Sequence, residues 1–186
     1  MSALKNGMRL YHGSYCGVTS PDLSKCSKYK DFGQGFYLTS SKEQARSFAK
    51  ITTRKAIGRN LIPPQQYGVV SSFTLADPSG LAVCEYPTAD IKWLHCVVGH
   101  RRNRFFLDLV NELKAFDVIS GKIANDDTNV TITAYLDGLY GEIGSDRADS
   151  FCIGLLLPER LQDQFCFRTE KALHTLTFEG SEQVWM

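Results

Sequence analysis

Short segments rich in β-forming residues, some with alternating apolar and polar positions, predict strands along the whole chain. They are residues 8–12, 36–39, 67–75, 81–86, 116–124, 164–168 and 175–178. Glycine, proline and polar turn residues separate many of them, as in Asp77-Pro78-Ser79-Gly80 between the third and the fourth. The pattern therefore predicts a protein rich in short strands.

Between these strands, apolar residues recur with helical spacing. The first predicted helix begins at Ser40-Ser41, with Glu43 in its first turn, and runs to about residue 57 with Ala45 and Phe48 on one face. Further helices are predicted over residues 90–98, from the basic run 100–104 to residue 114, over 128–139 and over 147–157. A single helical turn is predicted at 169–173.

Strands and helices alternate irregularly, and the spacing of parallel βαβ units is not sustained. The pattern therefore predicts an α+β fold on mostly antiparallel, mixed sheets. The 186 residues suffice for a sizeable core, and no repeat or low-complexity tract divides them. We expect a single domain over residues 1–186.

Composition excludes several classes of protein. The net charge of +1 provides no overall field for recruiting nucleic acid or an anionic membrane. The six cysteines are irregularly spaced and form no CxxC pair, so we expect reduced thiols, several of them buried, and no metal site. The apolar run 152–157 is too short to span a bilayer, and residues 1–8 lack the apolar stretch of a secretory signal. We therefore expect a cytoplasmic protein without a membrane partner.

Three separated segments each carry one polar side chain on a strand or at a strand end. These side chains are His12, Tyr37 and Gln164. Gly13 follows His12 directly, and a residue without a side chain lets a ligand approach the backbone. Each segment alone also fits an ordinary strand end or hairpin turn, but the ordered set predicts one pocket.

In this order the segments resemble the motifs of ADP-ribosyltransferases, in particular the poly-ADP-ribose polymerase branch with its histidine–tyrosine–glutamate triad of diphtheria-toxin type. Tyr11-His12-Gly13-Ser14 is similar to its Trp/Tyr-His-Gly-Ser motif, and Gly35-Phe36-Tyr37-Leu38 to its Gly-Ile/Phe-Tyr-Phe/Leu motif. Asp163-Gln164-Phe165-Cys166-Phe167 is similar to its third motif. Phe48, eleven residues after Tyr37, matches an aromatic residue on the following helix of that branch.

The chain also resembles a group of bacterial ADP-ribosyltransferase-like proteins. They share Asp-Phe-Gly-Gln-Gly-Phe-Tyr, which stands here at residues 31–37, and a later segment that stands here at Arg168 to Leu173. The resemblance implies the fold of the superfamily, a split core of mixed and antiparallel sheet with flanking helices. It also implies that NAD is the substrate.

The resemblance further implies a role for each residue of the motifs. His12 would contact the adenine-side ribose, while the Gly13 backbone and the Ser14 hydroxyl would bind the carboxamide of nicotinamide. Tyr37 and Phe48 would sandwich the nicotinamide ring, and aromatic faces suit a planar cation. The expected catalytic set is His12, Tyr37 and Gln164, and the expected NAD-binding set is His12, Gly13, Ser14, Tyr37 and Phe48.

Gln164 stands where the branch has a glutamate. Its amide oxygen can accept a hydrogen bond from a ribose hydroxyl, but it carries no formal charge and cannot act as a general base. Loss of one such electrostatic contact costs about 3 kcal/mol, so we expect turnover and chain elongation to suffer more than NAD binding.

Other carboxylates of the chain are candidate substitutes for the missing charge. Asp163 is expected to face away, because neighbours on a strand point to opposite sides. Glu142, Asp126 and Asp127 could reach the cleft from loops, although a surface position is the simpler interpretation. Gln162 is expected to share the face of Gln164, a pattern that in related toxins disfavours arginine as the acceptor.

We therefore expect a mono-ADP-ribosyltransferase that transfers ADP-ribose from NAD to a protein or a nucleic acid. Analogy with relatives indicates a bacterial toxin or defence factor with an antitoxin as partner. Three alternatives stay open: an NAD glycohydrolase, a non-catalytic module that binds NAD or ADP-ribose, and a resemblance of architecture alone. The basic run 100–104 fits either a solvated helix start or a phosphate-binding segment.

Overall fold

A computed structural model describes residues 3–102, 104–123, 126–156 and 162–186, without the side chains of Asp126 and Asp127. The strands are β1 (Arg9–Ser14), β2 (Phe36–Leu38), β3 (Tyr67–Leu75), β4 (Val83–Glu85), β5 (Val118–Lys122), β6 (Asp163–Phe167) and β7 (Leu176–Trp185). The α-helices are α1 (Lys42–Gly58), α2 (Ile91–Arg101), α3 (Leu107–Glu112), α4 (Asp126–Leu136), α5 (Asp146–Leu156) and α6 (Glu170–Leu173).

The strands form two sheets. The first has the order β1-β3-β7 and is antiparallel throughout. The second has the order β2-β6-β5-β4, with antiparallel pairs except for the parallel pair β4–β5. The prediction of an α+β fold with antiparallel and mixed sheets is confirmed.

The elements stack in the order helix, sheet, sheet, helix. Ala45 and Ala49 of α1 pack on Val70 of the first sheet. The other face of that sheet packs on the second sheet, with Phe73 and Phe165 among the buried residues between them. The far face of the second sheet is covered by α2, α4 and α5 in a larger core. Each layer buries its apolar face against the next, which is the main stabilising term of the fold.

The two sheets meet at β1 and then part. The Tyr11 N–H donates to the Thr39 carbonyl at 2.8 Å, and the Thr39 N–H donates to the Tyr11 carbonyl at 3.0 Å. One residue further along β1, the side chain of His12 bonds the Tyr37 carbonyl. Beyond this point β1 pairs with β3 while β2 pairs with β6, so a gap opens between the sheets.

Side chains cap the helix starts, as predicted for α1 at Ser41. The side chain of Ser41 accepts a hydrogen bond from the Gln44 N–H at 3.2 Å, and that of Asp90 accepts one from the Trp93 N–H at 3.0 Å. Such side chains satisfy backbone donors that a first helical turn leaves free. Trp93, at 0% exposure, is buried in the helical core.

Several boundaries differ from the sequence prediction. Strand β7 runs to Trp185 and not to residue 178, and α4 begins at Asp126, within the polar segment that was predicted as a turn. Residues 124, 125 and 157 of the predicted elements lie outside the described residues.

All six cysteines are free thiols, and Cys96, Cys152 and Cys166 are buried, as expected. Burial raises the pKa of each of these three thiols to about 12. Among the described residues, no helix has both the length and the apolar character needed to cross a bilayer.

Candidate functional site

A cleft of about 910 Å³ opens where the two sheets part. Its walls come from β1 and the loop after it, from β2, from α1 and α4, and from the ends of α2, β5 and β6. Every residue that the sequence predicted for the site lines this cleft: His12, Gly13, Ser14, Tyr37, Phe48 and Gln164. The fold therefore brings the three separated motifs into contact with one volume.

His12 joins the two sheets at the back of the cleft. Its Nδ1 lies 2.8 Å from the Tyr37 carbonyl oxygen, and its ring packs on Phe36 with centroids 4.5 Å apart. Because a carbonyl only accepts, Nδ1 carries the proton and a neutral ring leaves Nε2 as an acceptor. Burial lowers the pKa of His12 below its ordinary value, against the opposing effect of the Tyr37 carbonyl. The neutral imidazole can thus accept a hydrogen bond from a ligand hydroxyl.

Tyr37 is fixed at both ends. Its hydroxyl accepts a hydrogen bond from the Phe32 N–H at 2.9 Å and donates to the Gly33 carbonyl at 2.8 Å. Burial, together with the nearby Cys166 and Asp31, raises the pKa of Tyr37 well above its ordinary value. The hydroxyl is therefore a structural anchor, and the ring is what Tyr37 offers to the cleft.

Gly13 has a packing reason to lack a side chain. A Cβ atom there would lie 2.0 Å from the Ala45 carbonyl oxygen and 2.8 Å from the Ala49 nitrogen, so only glycine lets α1 approach β1 this closely. Backbone groups alternate in direction along an antiparallel strand. Since the Tyr11 groups point to Thr39, the Gly13 N–H and C=O point to the same edge, where the sheets have already parted.

Phe48 lies on α1, on the same side of the cleft as Gly13. Its side chain is partly buried, and the ring contacts found among the described residues do not join it to Tyr37. Both rings line the cleft without stacking on each other. Ser14, at the end of β1, is also partly buried and lines the cleft.

Gln164 has a defined orientation. Its Nε2 donates to Asp31 Oδ2 at 2.9 Å and to the Lys122 carbonyl at 3.4 Å. Two acceptors on one side of the amide identify that side as the NH₂ group, because an amide oxygen could bond neither. The Oε1 atom is therefore turned the other way, and no donor from the described residues bonds it.

Asp31 is the residue that sequence reasoning missed. It is 8% exposed, lines the cleft, and forms an ion pair with Arg101, whose Nε and Nη2 lie 2.8 Å and 2.7 Å from Oδ1. The Arg101 Nη1 group also donates to Asn129 Oδ1 at 2.7 Å. A signal was present, because Asp31 opens the segment 31–37 that contains Tyr37, but its spacing gave no reason to place it beside Gln164.

The loop that carries Asp31 is held by its neighbours. Phe32 is 0% exposed and packs in the helical core against Tyr86, with ring centroids 6.2 Å apart. Gly33 has φ of +79°, and a Cβ atom there would lie 2.6 Å from Cδ2 of His100. The buried aromatic residue and the positive φ together fix the turn from which Asp31 points to Gln164.

Asp163 and Glu142, two other candidate carboxylates, do not line the cleft. Asp163 bonds Lys122 at 2.8 Å, away from the cleft as strand alternation predicted, and Glu142 is exposed. Gln162 is exposed and does not line the cleft, so the expectation that it shares the face of Gln164 finds no support there. The predictions for Asp126 and Asp127 lie outside the described side chains.

The basic run 100–104 ends a helix and does not begin one, so its interpretation as a solvated helix start was wrong. His100 is buried at 7% exposure near the end of α2, and Arg101 is paired with Asp31. Arg102 reaches Asp137 at 3.9 Å and also lines the cleft. Residue 103 lies outside the described residues.

Among the described residues that line the cleft, cations outnumber carboxylates. Its lining includes Lys25, Lys30, Lys55, Arg101 and Arg102, against Asp22 and Asp31. This surplus of positive charge favours an anionic ligand. Across the described residues, no group of histidine, cysteine and acidic side chains is arranged to hold a metal ion.

Gln44 is a second residue that the sequence did not indicate. It is 8% exposed on the cleft wall, and its Oε1 accepts a hydrogen bond from Thr39 Oγ1 at 2.7 Å. Its Nε2 is buried without a hydrogen-bond partner among the described residues. An unpaired buried donor of this kind is uncommon in folded proteins.

A separate polar cluster lies in the helical core. His95 Nε2 is 2.6 Å from Asp149 Oδ2, the Tyr135 hydroxyl bonds the other oxygen of Asp149, and the ring of His95 stacks on Phe106. None of these residues lines the cleft. The cluster ties α2 to α4 and α5, so His95 has a structural role.

Comparison with known proteins gives one match. No curated protein and no solved structure matches the chain. Residues 8–178 match a family described as a protein of unknown function (DUF3990), and this range contains every candidate site residue from His12 to Gln164. Because the match extends over most of its length, the chain belongs to the DUF3990 family.

Proposed function

We propose that this chain is a mono-ADP-ribosyltransferase that cleaves nicotinamide from NAD and transfers ADP-ribose to a macromolecule. The observation that carries the proposal is the convergence of His12, Tyr37 and Gln164 on one cleft, with Gly13 and Phe48 in its walls. We also propose the ADP-ribosyltransferase-like fold. Two sheets that part after Tyr11 and Thr39, followed by α1 on the outer face, support it.

The residues of the cleft suit the two ends of NAD. The ring of Tyr37, fixed through its hydroxyl, and that of Phe48 would bind the two faces of the nicotinamide cation. The Gly13 N–H and C=O would bond its carboxamide, whose polar groups need partners once they are buried. Neutral His12 would accept a hydrogen bond from a ribose hydroxyl at Nε2, and the surrounding cations suit the diphosphate.

The chemical step breaks the bond between the nicotinamide nitrogen and C1′ of its ribose. The bonding electrons leave with the nicotinamide, which departs neutral, and positive charge develops on the ribose. Gln164 Oε1 would accept a hydrogen bond from a ribose hydroxyl and so stabilise that charge. A nucleophilic atom of the acceptor then bonds C1′ and releases its proton to solvent water.

The test follows nicotinamide release and the fate of the ADP-ribose together. We expect the purified chain, mixed with cell lysate and NAD labelled in the adenylate phosphate, to release nicotinamide and to label a protein or nucleic acid. The Gln164→Ala variant should lower turnover by more than it lowers the affinity for NAD, since the side chain acts on the developing charge.

The other outcomes separate the remaining possibilities. Nicotinamide release without labelling would make the chain an NAD glycohydrolase. A thermal shift with NAD but no release would make it a binding module. The absence of both a thermal shift and nicotinamide release would refute the proposal altogether.

A further inference from the structure

We infer that Asp31 is a positioning residue that supplies, through the Gln164 amide, the negative charge that a glutamate would carry at this position. The inference rests on the proposed function, because it concerns how the same cleft stabilises positive charge on the ribose. It assigns Asp31, Gln164 and Arg101 to one assembly in which only Gln164 touches the substrate.

The carboxylate of Asp31 is in direct contact with the amide of Gln164. Asp31 Oδ2 accepts from Gln164 Nε2 at 2.9 Å, and the second acceptor on the same side is the Lys122 carbonyl at 3.4 Å. Both acceptors lie on the Nε2 side of the amide, so Oε1 is turned away from them. An amide hydrogen-bonded to a carboxylate is polarised, so its oxygen becomes a stronger acceptor than that of a free glutamine.

The charge of Asp31 lies largely out of contact with water. Asp31 and Arg101 are both largely buried, with side-chain exposures of 11% and 17%, and a charge in such surroundings acts over a longer range than one in water. Arg101 binds Oδ1 through Nε and Nη2, while Oδ2 is the oxygen that faces Gln164. The carboxylate thus stands between the guanidinium and the amide.

The three side chains lie at the wall of the cleft. Asp31, Arg101 and Gln164 all line the cleft, and Oε1 of Gln164 accepts no hydrogen bond from the described residues. A buried ion pair is by itself a weak source of stability. Here the ion-paired Asp31 fixes the orientation of Gln164. It holds the Nε2 group and leaves Oε1 to accept from a ribose hydroxyl.

The test exchanges the amide and the carboxylate. We expect Asp31→Asn to lower kcat for nicotinamide release by about tenfold or more while KM changes little, because the charge acts on the transition state. In the double variant Asp31→Asn with Gln164→Glu, the charge moves to position 164 and kcat should return to the wild-type value or exceed it. Gln164→Glu alone would set two carboxylates in contact, which then share one proton, and should not raise kcat above wild type.

Asp163→Asn is the matched control. It makes the same change one residue from Gln164, at a side chain that bonds Lys122 and does not line the cleft. Its kcat should equal that of the wild type. Where Asp31→Asn fails to fold because Arg101 is left unpaired, the pair Asp31→Asn with Arg101→Gln removes both charges, and Gln164→Glu should then restore kcat in that background.

The outcomes are distinct from those of the proposed function. Wild-type protein that releases no nicotinamide overturns both. Active wild type together with a folded Asp31→Asn variant of unchanged kcat overturns the inference alone. So does a double variant that folds and binds NAD but remains as slow as Asp31→Asn.

Discussion

The side chain of Tyr37 performs two separable tasks, one with its hydroxyl and one with its ring. The hydroxyl bonds the Phe32 N–H and the Gly33 carbonyl, whereas the ring lines the cleft. A substitution can therefore remove the anchor and keep the aromatic face, or remove both.

We expect Tyr37→Phe to lower the free energy of unfolding by about 1–3 kcal/mol, because two backbone groups lose their partner, and to retain most of the NAD affinity. Tyr37→Ala should also weaken NAD binding, by about tenfold or more, because a ring face is lost. Denaturant titration and isothermal calorimetry measure the two effects. An alanine variant with wild-type affinity would remove Tyr37 from the ring-binding site.

At the level of single residues, the sequence predicted some of the side chains that line the cleft and missed others. His12, Tyr37 and Gln164 could be found because each stands in a short motif with a recognisable neighbour, such as the glycine after His12. Asp31 could not be paired with Gln164, since their contact depends on a turn held by buried Phe32 and on a helix end that supplies Arg101. Contacts between residues distant in sequence follow from packing and not from local pattern.

At the scale of elements, the approach of α1 to β1 determines the shape of one cleft wall. Gly13 is in contact with the helix backbone at Ala45 and Ala49. The closeness of the two elements also decides where Phe48 stands. Local sequence predicted both elements but not the distance between them.

We expect Gly13→Ala to lower the free energy of unfolding by about 1–3 kcal/mol or more, because its Cβ would overlap the Ala45 carbonyl oxygen at 2.0 Å. NAD affinity should fall with it, because α1 and the ring of Phe48 would move away from β1. Gly58→Ala, at the end of the same helix with no atom within 4 Å of its Cβ, is the control and should be neutral or slightly stabilising. Equal stability of the two variants in a thermal melt would contradict this account.

The ends of the strands also depend on more than the local sequence pattern. Strand β7 continues through Glu179, Gly180 and Ser181, residues that rarely form strands on their own, because the neighbouring strand β3 supplies a pairing partner as far as Tyr67. By contrast, β3 itself was predicted correctly at 67–75, where β-forming residues are frequent.

At the scale of the whole molecule, the partly buried His12 and the buried His100 link stability to pH. Burial lowers the pKa of both His12 and His100 below the ordinary value of 6.5, so the unfolded chain binds their protons more readily than the folded one. Their contribution to stability is complete above about pH 6.5 and is lost as the pH falls towards the lower, folded-state values.

We expect the free energy of unfolding to fall below pH 6.5 with a slope of up to about 1.4 kcal/mol per pH unit for each of these histidines. His12→Asn removes one titrating group, while its amide can still donate to the Tyr37 carbonyl, and should reduce that slope. Urea denaturation at several pH values measures it. An identical slope in the variant would show that His12 protonates equally in the folded and unfolded chains.

The parting of the two sheets has a consequence for the protein as a mechanical whole. One sheet belongs to the layer that α1 covers and the other to the layer that α2, α4 and α5 cover, and the cleft lies between them. Any molecule that fills it touches both halves at once and would bind them to each other. Occupancy would then be felt in the far helices, as slower exchange of amide hydrogens at positions that never meet the ligand.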